Sequence, residues 1–125
     1  MSLIPNLSDI PELTLAEDGE YDLHVTTAKE KASPKTGRNS IMLVCDFVGE
    51  DDIQNLIHSI WLPMESDDKT KAETMWRMIK EFLTAVGLPS DGDLDIEDFK
   101  GLDFTAIIEI ESSDFGDRNI IKRIV

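Results

Sequence analysis

Basic side chains are scarce in this chain. Its 125 residues hold 12 Lys and Arg against 26 Asp and Glu, a formal net charge of −14 at pH 7. Taken alone, that balance argues against a polyanionic partner, because an acidic surface repels phosphates and slows encounter. Cysteine is scarcer still. Cys45 stands alone in the apolar run 41–48, which excludes an intrachain disulfide and a cysteine-built zinc site and fits a reducing compartment. His24 and His58 are the only histidines, each isolated on a strand pattern, so a histidine metal site has little to build on. No apolar stretch approaches the ~18 residues of a membrane span. Residues 1–13 are interrupted by Pro5 and Pro11 and carry no basic segment, so neither membrane insertion nor secretion is expected. The signatures G-x-S-x-G, G-x-x-x-x-G-K, G-x-G-x-x-G and H-E-x-x-H are all missing, so we expect no enzyme and no cofactor. Asp91, Asp93 and Asp95 have the spacing of a calcium loop, but Ile96 and Leu102 stand where Gly and Glu are required. A helix-capping loop explains these aspartates more simply.

What is present is enough apolar material for one core: 41% of the residues are hydrophobic, and the length fits one domain. Residues 1–18, with two prolines and no base, read as an extended arm laid over a domain formed by residues 19–125. Tyr21, Leu23 and Val25 alternate with Asp22, His24 and Thr26, the period of a half-buried strand at 20–28. Ser33-Pro34 and Thr36-Gly37 make 29–39 a long hairpin loop. A second strand follows at 41–48, and a third at 55–62 is ended by Pro63. Met75, Met78, Ile79, Phe82, Leu83 and Val86 then form one apolar stripe of a helix over 68–86, with Asp67 or Asp68 as N-cap and Gly87-Leu88-Pro89 as stop. Asp95 caps a short helical turn. Phe104, Ala106, Ile108 and Ile110 mark a fourth strand, 112–117 a turn and 119–125 a fifth strand. The order β-β-β-α-β-β is that of the OB-fold, a five-stranded partly open barrel that binds ligands across strands 2 and 3, between the first hairpin and the loop joining strands 4 and 5.

The negative total conceals an uneven distribution. Lys29, Lys31, Lys35 and Arg38 give residues 29–38 a local +3, and Arg118, Lys122 and Arg123 give residues 118–125 another +3. The remaining 107 residues therefore carry −20. In an OB barrel both clusters flank the ligand path, although Lys and Arg also collect on hairpins and edge strands to block edge pairing. Single-strand binding further needs flat side chains, because a base stacked on an aromatic ring contributes ~1–3 kcal/mol whatever its identity. Trp61, near the end of the third strand, is as compatible with the barrel core as with a stacking platform. Phe115 lies at a loop tip, where a packing explanation is less obvious and a ligand contact is the alternative. Tyr21, Phe47 and Phe104 read as core, and Trp76 as packed on the barrel.

Several short motifs together carry a family likeness: Gly19-Glu20-Tyr21, Ser33-Pro34-Lys35-Thr36-Gly37-Arg38, the helix end Phe82-Leu83-Thr84-Ala85-Val86-Gly87-Leu88, Lys100-Gly101-Leu102, and Phe115-Gly116-Asp117-Arg118-Asn119. Across residues 17–125 they resemble bacteriophage proteins of the DUF669 type. The resemblance implies a phage single-stranded-DNA-binding protein of OB-like fold that serves replication and recombination in the cytoplasm of the host bacterium. It makes single-stranded DNA the partner, with phage or host replication proteins beside it, and an oligomer of the chain is compatible with this. It also implies DNA contacts at Lys29, Lys31, Lys35, Arg38, Phe115 and Arg118. Single-strand binders of phages and bacteria commonly end in a flexible acidic tail, whereas this chain stops at Ile124-Val125. Either the tail was removed, which the vector-like Met1-Ser2-Leu3 favours, or the domain works without one. Two other readings stay open: an acidic protein-interaction OB module or DNA mimic, and a phage structural or assembly protein.

Overall fold

The computed structural model describes residues 3–10 and 12–125. Its elements are β1 (Gly19–Ala32), β2 (Asn39–Phe47), β3 (Leu56–Trp61), α1 (Lys69–Val86), a 3-10 turn (Ile96–Phe99), β4 (Asp103–Ser113) and β5 (Gly116–Ile124). The expected β-β-β-α-β-β order is therefore present. All five strands form one antiparallel sheet in the order β3-β2-β1-β4-β5. Long β1 serves both halves: Gly19 to His24 pair with β4, and Leu23 to Ala32 pair with β2. Where β1 leaves β4, its backbone is satisfied by the segment after the 3-10 turn, with Val25 N–H on Leu102 O and Gly101 N–H on Val25 O, both at 2.8 Å. An irregularity between Val25 and Thr27 bends the strand there. The sheet coils until edge strands β3 and β5 approach each other, giving a barrel-like shape.

Alternation along the strands builds the core. Leu23, Val25, Leu43, Cys45, Leu56, Ala106 and Ile108 point inward and are fully or almost fully buried. Leu83 and Val86 of α1 and Phe99 of the 3-10 turn close the interior. Phe47 and Phe104 are buried, and Tyr21 packs edge-on against Phe47 with ring centroids 5.2 Å apart. Truncating such a side chain, Leu43→Ala for example, removes ~2–5 kcal/mol.

The helix ends follow from local chemistry. Asp68 is the N-cap and accepts the Lys71 N–H at 2.8 Å. Gly87 ends the helix at φ 83°, a left-handed conformation that glycine adopts without steric cost, and the Leu88 N–H reaches back to Leu83 O. Asp95 caps the 3-10 turn through a reciprocal bond with Asp98.

Three expectations need correction. The first hairpin loop is 33–38 and not 29–39, because Lys29, Glu30 and Lys31 pair with Met42, Ile41 and Ser40 in the ladder. Likewise β4 and β5 extend to a two-residue turn at Asp114-Phe115, so Gly116 to Arg118 belong to β5. Trp76 is 54% exposed and does not pack into the barrel, since it lies beyond the edge of the stripe that α1 buries. In the arm, Thr14 forms a parallel bridge to Ile53, and Ala16 is buried with its backbone N–H and C=O both held by the Asn119 amide at 2.9 Å. Thr14 to Ala16 thus span from the approach to β3 across to β5 and close one end of the seam between them.

Candidate nucleic-acid interface

The strand register brings residues from three strands onto one outer face. Partners across an antiparallel ladder share a face, so Lys29, Met42 and Ser59 form one row and Lys31, Ser40 and Trp61 the next. The inward rows between them are Ala28, Leu43 and His58, then Glu30, Ile41 and Ile60. Trp61 therefore lies on the outer face, 47% exposed, and the choice between core and surface is settled for the surface. Ile57 stands two outer rows from Trp61, 57% exposed.

Where β3 faces β5 the surface folds into a groove of about 490 Å³. Ile57, Ser59 and Trp61 line one wall, Arg118 and Ile120 the other, with Asn55 and Gln54 at the end nearest the arm. Trp61 and Arg118, 57 residues apart in sequence, are thus on opposite walls of one groove. His58 borders the same groove but turns inward and stacks on Phe82 with centroids 5.4 Å apart. Its burial lowers its pKa, so at neutral pH it is an uncharged packing group.

The candidate cations divide into two sets. Arg38 is committed to structure: its guanidinium grips the Asp67 carboxylate through two 2.8 Å bonds and donates to Leu62 O at 3.0 Å, with side-chain exposures of 16% and 4% for the pair. The Arg38 bonds, the Met64 N–H and the charge of Lys71 hold the Asp67 carboxyl well below the usual carboxylate range. Arg38 consequently ties the first hairpin to the β3–α1 connection, and its expected place among the DNA contacts gives way to that role. In β5, Arg118 pairs with Glu111 at 2.7 Å and Lys122 with Glu109 at 3.0 Å. Of the candidate cations, Lys29, Lys31, Lys35 and Arg123 have no carboxylate partner within 4.0 Å among the described residues.

Phe115 is fully exposed at the tip of the β4–β5 hairpin, three residues from Arg118. The sequence pattern did not reveal Glu109 and Glu111 as neighbours of the β5 cations. A two-residue turn at Asp114-Phe115 fixes that register and would have revealed them. Nor did it reveal Asn119, for which buried amide chemistry gives no local signal. Cys45 offers no nucleophile, because burial, reinforced by the charge of Asp46, pushes its thiol up to about 12. Among the described residues no cluster of three metal-ligating side chains occurs, and no helix is long and apolar enough to cross a membrane.

No protein-family model matches the chain. A stretch of 60 residues is 40% identical to part of the 2,3-bisphosphoglycerate-independent phosphoglycerate mutase of Zea mays, taking in 46% of this chain and 11% of that enzyme. The chain therefore spans about a ninth of the curated relative it matches, and a match over so small a share carries no activity across.

Proposed function

We propose that the chain is a non-enzymatic, sequence-tolerant single-stranded-DNA-binding domain with an OB-like barrel, of the phage type that its motifs resemble. Its sheet order, the approach of β3 to β5 and the helix between β3 and β4 support the OB reading. The observation that carries the binding reading is the groove that sets exposed Trp61 against Arg118, beside Lys31 on the same outer face. Such a surface can stack a base on the indole while its phosphates meet cations on either side, without reading the base edge. Replication or recombination in a host bacterium is the setting that the resemblance implies.

The four candidate cations without carboxylate partners set the electrostatic contribution. At about −0.7 per phosphate neutralised on a single strand, Lys29, Lys31, Lys35 and Arg123 give a slope of log K against log salt of about −2.8. The affinity is accordingly moderate. A fluorescence-anisotropy titration with oligo-dT at two salt concentrations measures both quantities, and an absence of binding at low salt overturns the reading.

One observation favours a second reading. Glu109 and Glu111 neutralise two of the three β5 cations, so that face also suits an acidic protein-interaction module that presents carboxylates to a basic partner. This reading requires that oligo-dT does not bind at any salt concentration.

A further inference from the structure

The packing of the barrel leaves Trp76 of α1 without a role. Its indole is 54% exposed and lies outside the stripe that the helix buries. It lines a groove of about 550 Å³ between α1 and the segment that leads into the 3-10 turn. Ile79 and Leu83 of α1, with Leu94 and Phe99 across from them, give the groove its apolar surface. No residue of this groove lines the seam groove between β3 and β5.

Its charge is of one sign. Glu30, Asp93 and Asp95 line the groove against Lys80 alone. Asp95 also caps the 3-10 turn by accepting the Glu97 N–H, but it keeps its charge. Among the described residues none of the three carboxylates has a cation within 4.0 Å. The segment that forms one wall adds to the field, because residues 87–103 hold six carboxylates and one base, Lys100, which already pairs with Glu97 at 2.9 Å. Such a groove complements a segment that carries Lys or Arg beside aliphatic side chains. The cations meet carboxylates and the indole face, and the aliphatic groups meet the apolar surface. The same charges repel a nucleic-acid strand, and they repel residues 3–13 of this chain, which carry Asp9 and Glu12 and no base.

Backbone pairing narrows the occupant further. The strands that contribute to the groove, β1 and β2, are interior to the sheet, so they offer no free edge to an extended peptide. A helix satisfies its own backbone and docks through side chains alone.

We propose that this groove binds a basic amphipathic helix of a partner protein. Its aliphatic face covers Ile79, Leu83, Leu94 and Phe99, and its Lys or Arg side chains meet Trp76, Glu30 and Asp93. Lys80 opposes the partner with one charge against three. Glu30 points to the opposite face of β1 from Lys29 and Lys31, so the helix and a DNA strand occupy different surfaces and the domain holds both at once.

Anisotropy titrations with three labelled peptides test this in about 150 mM salt, where the Debye length is about 8 Å. The first is a short helix of Leu and Lys with Leu at three- and four-residue steps; the second replaces Lys by Glu, and the third replaces Leu by Ser. The Leu/Lys peptide should bind with micromolar affinity and both controls at least about tenfold more weakly. Trp76→Ala should weaken the Leu/Lys peptide about tenfold or more, as loss of a central aromatic does. Glu30→Gln/Asp93→Asn should weaken it and flatten its salt dependence. All three positions are exposed, so the circular dichroism spectra should stay unchanged. In NMR spectra the Trp76 indole N–H should move with the peptide and the Trp61 indole N–H with oligo-dT, so this reading and the DNA reading fail separately. Four results overturn the proposal: no binding of the Leu/Lys peptide, equal binding of either control, binding that survives Trp76→Ala, or a peptide that shifts Trp61 and leaves Trp76 unmoved.

Discussion

Replacing Glu109 and Glu111 by Gln should strengthen DNA binding, although neither residue would touch the strand. In the folded chain Glu111 holds Arg118 at 2.7 Å and Glu109 holds Lys122 at 3.0 Å. All four side chains are more than a third exposed, so each pair contributes at most ~1 kcal/mol to stability, and the double variant Glu109→Gln/Glu111→Gln should fold normally. It would release two cations beside the groove. Phosphates neutralised on the strand then rise from four to six, and the slope of log K against log salt steepens from about −2.8 to about −4.2. Between about 50 and 200 mM salt the parent should lose roughly 50-fold in affinity and the variant roughly 340-fold. Anisotropy titrations with oligo-dT at three or four salt concentrations give both slopes directly. An unchanged slope would show that Arg118 and Lys122 do not face the strand and would remove β5 from the binding path. A weaker affinity at every salt concentration would mean that Glu109 and Glu111 position Lys122 and Arg118 for the strand and do not withhold them from it.

The remaining expectations concern single groups. Trp61→Ala should lower oligo-dT affinity by roughly 5- to 150-fold, the loss of one stacked base, without moving the thermal midpoint, because the indole is 47% exposed; a large fall in stability would place it in the core after all. Asn119→Leu should release the arm by removing two 2.9 Å bonds to Ala16, each with a net value of ~1 kcal/mol, and a protease cutting after Glu12 and Glu17 should then cleave faster. Asp67, held low chiefly by the Arg38 bonds, contributes stability that is complete above the unfolded carboxylate value near pH 4 and lost as pH falls through the lower folded value. Asp67→Asn should flatten that acid limb in a plot of thermal midpoint against pH. His58, whose pKa burial lowers, binds its proton more readily when unfolded, so stability should begin to fall below about pH 6.5, and His58→Gln should remove that part of the curve.

Features governed by near neighbours along the chain are legible in the sequence alone. The stop Gly87-Leu88-Pro89, the Asp95 cap and the alternation of Leu23 and Val25 each act within a few residues, so element order and the buried faces follow from them. Strand length is less accessible. Lys29-Glu30-Lys31 has no apolar alternation to announce a strand, yet it extends β1 because Met42, Ile41 and Ser40 offer backbone partners opposite it. Long-range polar pairing is illegible for a different reason. Arg38 meets Asp67 across 29 residues and Asn119 meets Ala16 across 103, and nothing in the local sequence distinguishes these side chains from solvated ones. Trp61 shows where the two limits meet. Its strand face can be assigned from alternation, but which face the barrel turns outward depends on how β3 registers against β2.

The same distances change what the net charge of −14 means for binding. The β4 carboxylates sit where the phosphates of a strand passing β5 would need to sit, so DNA would not meet bare cations there. It would replace one anion by another. The gain at β5 is then the difference between a tethered carboxylate and a phosphate, each exposed to solvent and each contributing little. The outer-face lysines and the indole would have to supply most of the affinity. A duplex cannot splay a base onto Trp61 without unstacking it, and it would bring a denser line of charge against the acidic remainder of the surface. On this account acidity and single-strand binding are compatible, because the carboxylates penalise every polyanion while only an unpaired strand can recover the loss by stacking.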